Sequence, residues 1–222
     1  MSKRQLCFQM KGLGLLVLGA VMLAGCSDEA DTALAAETAT NAWDGLPAEY
    51  AENPQVTDDR ELTVMGDAII DEKGTLTLEN INTEPVRKTI GPLTLTIRES
   101  KLMHYQPDSS LKDFYQSYTH DSDFYLVKLT VEFTNLSAEP VKFWPAETVL
   151  TSGGELKTRE DDVYSENLNE PIQSGETKAG SIGFIVKNAG FESLAITTSD
   201  LLDQQGELII PGDIISINFA VR

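Results

Sequence analysis

Cysteine is almost missing from this chain: Cys7 and Cys26 are the only two in 222 residues. Both lie in or at the edge of an N-terminal segment that reads as targeting, so the folded part has none. That excludes a disulfide framework, a thiolate metal centre and a cysteine nucleophile, and leaves burial to supply stability. Histidine is equally scarce, with only His104 and His120. A zinc site needs three or four clustered ligands, and two distant imidazoles match no such spacing. Positive charge is short too: 17 Lys+Arg face 35 Asp+Glu, for a net charge of -18. So acidic a surface repels phosphate backbones, and no nucleic-acid partner is expected. Finally, the apolar run over residues 12–23 falls short of the ~20 residues a helix needs to cross a bilayer.

What is present begins with that run. Lys3, Arg4 and Lys11 precede it, Leu23-Ala24-Gly25-Cys26 closes it, and Ser27-Asp28-Glu29 ends the apolar character. This is the layout of a secretory signal. One reading is an ordinary cleaved signal that happens to end near a cysteine. The other is a lipobox, since Leu-Ala-Gly-Cys resembles the bacterial lipoprotein signal. That resemblance implies a diacylglyceryl group on the Cys26 thiol, cleavage before Cys26, and acyl chains such as palmitate holding the protein to a membrane. Each buried CH2 of such chains contributes ~0.8 kcal/mol, and two or three chains hold far more firmly than one. Loss of residues 1–25 removes three cations and no acid, leaving 14 Lys+Arg against 35 Asp+Glu and a net charge of -21. Ser27, not aspartate, follows the cysteine, so the resemblance implies the outer membrane where the cell has one and the outer face of the cell membrane where it has not.

Residues 26–60 read as a lipidated cysteine and an acidic, disordered linker. Residues 27–60 hold nine acids against the single Arg60, with only Trp43, Tyr50 and scattered Leu or Val as apolar content. Such a composition buries too little to offset chain entropy, and a coil of this length reaches ~30 Å on average.

From Glu61 the pattern changes to alternation with frequent turns, and residues 61–222 are expected to form one all-β domain. Residues 62–70 and 75–81 flank Asp71-Glu72-Lys73-Gly74 as a first hairpin. Leu93, Leu95 and Ile97 share one strand face. Leu111, Phe114, Tyr115 and Tyr118 fall at helical spacing, predicting one short helix with Ser110 and Asp113 as a capping box and the aromatic stripe in the core. The strongest strand spans residues 123–135: Tyr125, Val127, Leu129, Val131 and Phe133 point one way, and Lys128, Thr130, Glu132 and Thr134 point to an expected wet face. Pro145 interrupts the next strand, residues 156–174 form a long acidic loop, and further strands follow near residues 182–186, 194–198, 207–210 and 215–221. One β-sandwich of seven to nine strands accounts for the pattern.

Residues 124–135, Glu139-Pro140-Val141, Gly175-Glu176 and residues 180–186 resemble a family of exported immunoglobulin-like domains of unknown function, found in bacterial lipoproteins and in small secreted mycobacterial antigens. The resemblance covers about 65 residues. It implies an immunoglobulin-like β-sandwich and brings no catalytic residues. Residues 61–91 depart from it by adding strands at the front.

The chemistry-bearing residues are few. His120-Asp121-Ser122-Asp123 places imidazole, hydroxyl and carboxylates close in sequence, but neighbours along a turn point apart and no nucleophile elbow is present. Glu160-Asp161-Asp162 offers hard oxygen ligands in an irregular loop, without the Asp-x-Asp-x-Asp-Gly order that wraps calcium. The expectation is therefore a non-enzymatic, lipid-anchored module, with no catalytic residue, cofactor or metal assigned and Cys26 as the lipidation site. Its membrane partner is reached through the anchor, and its other partner is an envelope protein or wall component. The alternatives are a calcium- or small-ligand-binding lipoprotein using residues 156–174 and, third, an envelope hydrolase whose paired carboxylates are invisible in sequence.

Overall fold

The computed structural model describes residues 53–164 and 166–219. The signal segment, Cys26 and the linker up to residue 52 lie outside the described residues. Among the described residues, twelve strands and one short helix follow one another. Ala68–Asp71 (β1) and Gly74–Asn82 (β2) form the expected first hairpin. Gly74 has φ +144°, and a Cβ there would run into the Gln106 carbonyl oxygen, so the turn requires glycine. Val86–Ile90 (β3) turns back at Gly91-Pro92 into Leu93–Pro107 (β4), which is followed by Phe124–Asn135 (β5). The second half contains Thr148–Thr151 (β6), Leu156–Thr158 (β7), Thr177–Val186 (β8), Ser193–Thr197 (β9), Leu201–Leu202 (β10), Leu208–Ile210 (β11) and Ile214–Asn218 (β12).

The strands form two main antiparallel sheets. The first has order β1-β2-β4-β5-β8, with β3 paired to β4; the second has order β12-β9-β6-β7. β4, β5 and β8 on one side and β12, β9, β6 and β7 on the other, with the chain crossing from β5 to β6, back to β8 and over again to β9, is the immunoglobulin-like Greek key. The fold class is the one expected from the sequence. β2 and β3 lie end to end along the same edge of β4, one against residues 100–107 and the other against residues 93–97, which settles how the extra strands at the front are arranged.

Between the sheets lies the main core, built from Leu93, Leu95, Ile97, Val127, Leu129, Val131 and Phe133 on one face and Val149, Leu194, Ile196, Ile215 and Ile217 on the other. The expected wet face of β5 is a correction. Lys128 and Thr130 are buried, because a second hydrophobic cluster covers that side of the first sheet. A bulge at Arg98 shifts the alternation of β4, so that Glu99, Lys101, Met103 and Tyr105 point outward where Leu93, Leu95 and Ile97 pointed in.

The helix, Lys112–Tyr115 (α1), lies in that second cluster, with Tyr115 buried and Leu111, Phe114 and Tyr118 packed against it. Tyr115 is core, as expected of the stripe, while Leu111, Phe114 and Tyr118 are only partly buried. The Ser110/Asp113 capping box does not form; the Asp108 carboxylate accepts from the Ser110 N–H instead, one turn earlier, and caps a 3-10 turn that leads into α1.

The outer cover also includes the chain just before residue 61. Val56, Thr57, Asp59 and Leu62 are each at most 2% exposed, so the folded part starts at least as early as residue 53 and not at 61. This shortens the expected linker from its C-terminal end. Tyr105 and Tyr115 both donate to the Gln55 carbonyl (3.2 and 2.7 Å), and Thr57 Oγ1 donates to Asp71 (2.8 Å). Burial pushes the Tyr105 hydroxyl up to about 12, keeping it a neutral donor.

Candidate functional site

Four places gather chemistry-bearing groups, and at two of them, the acidic run and a buried charge cluster, those groups hold the fold. Beside His120 the geometry is unlike a triad. The His104 ring, not His120, lies 2.9 Å from Asp123 Oδ1, and Ser122 donates to the other oxygen of the same carboxylate at 3.1 Å. The carboxylate thus sits between hydroxyl and imidazole, whereas nucleophile activation needs the imidazole in the middle. Those two hydrogen bonds, that from His104 first, hold the Asp123 carboxyl below its usual range.

The acidic run of the long loop diverges. Glu160 is exposed and Asp161 accepts from the Thr158 N–H (2.8 Å) at the start of a 3-10 turn. Asp162 is buried and accepts from Gly183 N (2.8 Å) and Tyr164 N (3.1 Å). A little further on, Glu166 accepts from Ser181 N (3.0 Å). Asp162 and Glu166 therefore take up N–H groups of β8, the edge of the first sheet, and the loop covers an edge that would otherwise be open to pairing. Gly183 is required here, since a Cβ would lie 2.5 Å from the Tyr164 ring. Among the described residues no group of three metal-ligating side chains is assembled.

The third place is the buried charge cluster under residues 53–62. Lys101 and Lys128 are directly opposite each other on β4 and β5, each at most 3% exposed. Like charges so placed repel. Asp59 resolves this: one carboxylate oxygen accepts from Lys128 and the other from Lys101 at 3.0 Å, while the Asp59 carbonyl accepts from Lys101 at 2.7 Å. Glu99 lies 3.1 Å from Lys101, and the Lys128 ammonium is 5.5 Å from the Tyr164 ring centre. Burial opposes ionisation of Asp59, but the two ammonium groups outweigh it and hold its carboxyl below the ordinary value; Glu99, with weaker compensation from Lys101, is pushed up by burial. Composition could not reveal this cluster, because its partners are 42 and 69 residues apart.

The fourth place is open. At one end of the second sheet, the chain entering β6, the chain leaving β7 and the chain leaving β9 enclose a cleft of about 490 Å3 lined by Lys142, Trp144, Glu147, Arg159, Asn169 and Ser199, among others. A smaller cleft of about 280 Å3 adjoins it and shares Trp144, Arg159 and Asn169. Arg159 stands where they meet, its guanidinium 4.8 Å from the Trp144 ring centre. Trp144 is fixed beneath it: its backbone N–H donates to Ser199 Oγ (2.8 Å), its carbonyl accepts from Ser199 N (2.9 Å), and its indole N–H donates to the Ala146 carbonyl (3.1 Å). Arg159 is held from below by its own N–H, which donates to the Glu147 carbonyl (3.0 Å). The sequence drew attention to the acids around Arg159 and not to Arg159 itself. The visible signal was one arginine, with Lys157 the other cation, within an acidic loop, and Trp144 and Pro145 ahead of it.

Comparison with known proteins now places the chain. The protein YdhF of Bacillus subtilis (strain 168) is 34% identical over 235 aligned residues, which cover 93% of this chain and 98% of that protein. The chain belongs to the YdhF family. No family model matches it. Among solved structures, a functionally unknown protein from Listeria monocytogenes EGD-e is 16% identical, with 67% of this chain and 89% of that chain covered at a TM-score of 0.49. A structural-genomics target, SoR45, is 10% identical, with 64% and 86% covered at a TM-score of 0.32.

Proposed function

We propose that this member of the YdhF family is a lipid-anchored, extracytoplasmic binding module of the bacterial cell envelope, without chemistry of its own. The observation that carries the binding half is the open site around Arg159: two adjoining clefts between loops at one end of a rigid sandwich, centred on a guanidinium that an aromatic face positions. Loops on a stable scaffold are where β-sandwiches place recognition. The anchor half rests on Leu23-Ala24-Gly25-Cys26 and its preceding cations. Attachment is assigned to the acyl chains on Cys26.

Of the two binding alternatives within residues 156–174, the small-ligand one gains support and calcium does not. Asp161 and Asp162 are already engaged as acceptors for backbone N–H groups, while Arg159, Asn167 and Asn169 line the clefts. The test is a photo-reactive residue in place of Asn169 in the full-length protein in living cells. A discrete adduct that weakens in Arg159→Met is expected. Equal adducts from a photo-reactive residue at Ser216, on the outer face of the second sheet, would contradict the reading.

A further inference from the structure

Four arginines lie in the described part, and three have hydrogen-bond acceptors: Arg60 pairs with Asp58, Arg98 with Glu132, and Arg87 donates to Thr96 Oγ1 (3.4 Å). Arg159 is the exception. Among the described residues its guanidinium makes no hydrogen bond or ion pair, although it stands in an acidic loop of an acidic chain. A guanidinium resting on an aromatic face keeps its in-plane N–H groups free, and their fork matches the paired oxygens of a carboxylate or phosphate.

Three of the acids nearby have an oxygen committed elsewhere, and among the described residues Glu147 and Glu160, which also line the clefts, form no ion pair with the guanidinium. Asp162 and Glu166 accept from β8, and Asp200, across the larger cleft, accepts from Gly212 N (2.8 Å). The platform is also preorganised, since Trp144 and the Arg159 backbone are fixed by the hydrogen bonds described above, so little ordering remains to oppose a ligand.

We propose that Arg159 on Trp144 is an oxyanion-binding site for a small polar ligand that carries one negative charge. This rests on the binding-module reading and names its ligand class. The charge count follows from the lining: Glu147 and Asp200 border the same cleft as Arg159 and Lys142, so a multiply charged anion meets repulsion that a single oxyanion on Arg159 avoids. The body of the ligand is hydroxyl- or amide-rich, because Asn169 and, in the smaller cleft, Asn167 supply neutral hydrogen-bonding groups.

The chain has two tryptophans, so Trp43→Phe in the full-length protein in detergent makes Trp144 the only indole reporter. Glucuronate, glycerophosphoglycerol, a phosphodiester with one charge, and neutral glucose are then titrated. A saturable change with glucuronate identifies the carboxylate form, and one with glycerophosphoglycerol the phosphate form; glucose gives none. Arg159→Met, which keeps a cover over Trp144 but removes the donors, weakens the response about tenfold or more, equivalent to 1.4 kcal/mol per factor of ten. Arg159→Lys, which keeps the charge and loses the fork, weakens it less and serves if the methionine variant does not fold. No saturation by either anion, an equal response to glucose, or an unchanged response in both variants overturns the proposal. An Asn169 adduct in cells that persists while the anions fail to saturate removes the oxyanion assignment alone; loss of the adduct removes the binding reading beneath it.

Discussion

Lys101 and Lys128 face each other across two hydrogen-bonded strands, and Asp59 makes that arrangement tolerable. Removing one partner from a buried ion cluster leaves uncompensated charge, so Asp59→Ala is expected to cost about 3–5 kcal/mol, read from urea unfolding at pH 7. The pH dependence has a defined sign. The Asp59 carboxyl is depressed in the folded state, so its contribution is complete above the unfolded value of about 3.9 and is lost as pH falls through the lower folded value. Glu99 acts oppositely: its folded value is raised, so its contribution is present below the unfolded value of about 4.3 and is lost as pH rises through the folded one. Glu99→Gln should therefore leave stability at pH 7 unchanged or higher, and a loss above about 1 kcal/mol in the same assay would contradict the assignment. None of this was readable beforehand. Asp59 looked like one more linker acid because its two partners are distant in sequence.

Two elements were read too simply as single-faced. The alternation of β5 correctly located the strand and its inward residues, yet period-two patterning does not say what lies over the other face, and here the 53–62 segment, α1 and the loop after β7 cover it. The Arg98 bulge hid the same fact in β4 by shifting the phase halfway along. A chain begun at Glu61 is expected to be less stable than Asp59→Ala, since it loses Val56 and Thr57 as well; proteolysis of the two at equal concentration checks this. Where the loop crosses β8, Gly183→Ala forces a Cβ against the Tyr164 ring at 2.5 Å and should destabilise by about 1–3 kcal/mol, with faster amide exchange along β8 as the local sign. The β-sandwich was accessible from strand succession and its immunoglobulin-like order from the family resemblance; the β1–β2 hairpin was legible in its turn, but the sharing of one β4 edge by β2 and β3 was not, because two short strands end to end leave no pattern.

At the scale of the whole molecule, charge and the proposed anchor dominate. A chain at -18, or -21 with residues 1–25 removed as proposed, repels itself, and screening relieves that repulsion, so the melting temperature is expected to rise between low salt and about 0.5 M NaCl. The same charge makes the open Arg159 conspicuous, but only the fold shows that Asp162 and Glu166 are committed to β8. The clefts at the end of the second sheet are built from three separate loops, which is why the acids near Arg159 were legible and the site was not. The proposed anchor, by contrast, rests on local sequence, four residues and the cations before them. Intact mass of the membrane-extracted protein tests it most directly: the account predicts a chain beginning at Cys26 and carrying diacylglyceryl with fatty acyl mass. A chain that keeps residues 1–25, or a mature N-terminus with a free Cys26 thiol, would contradict it.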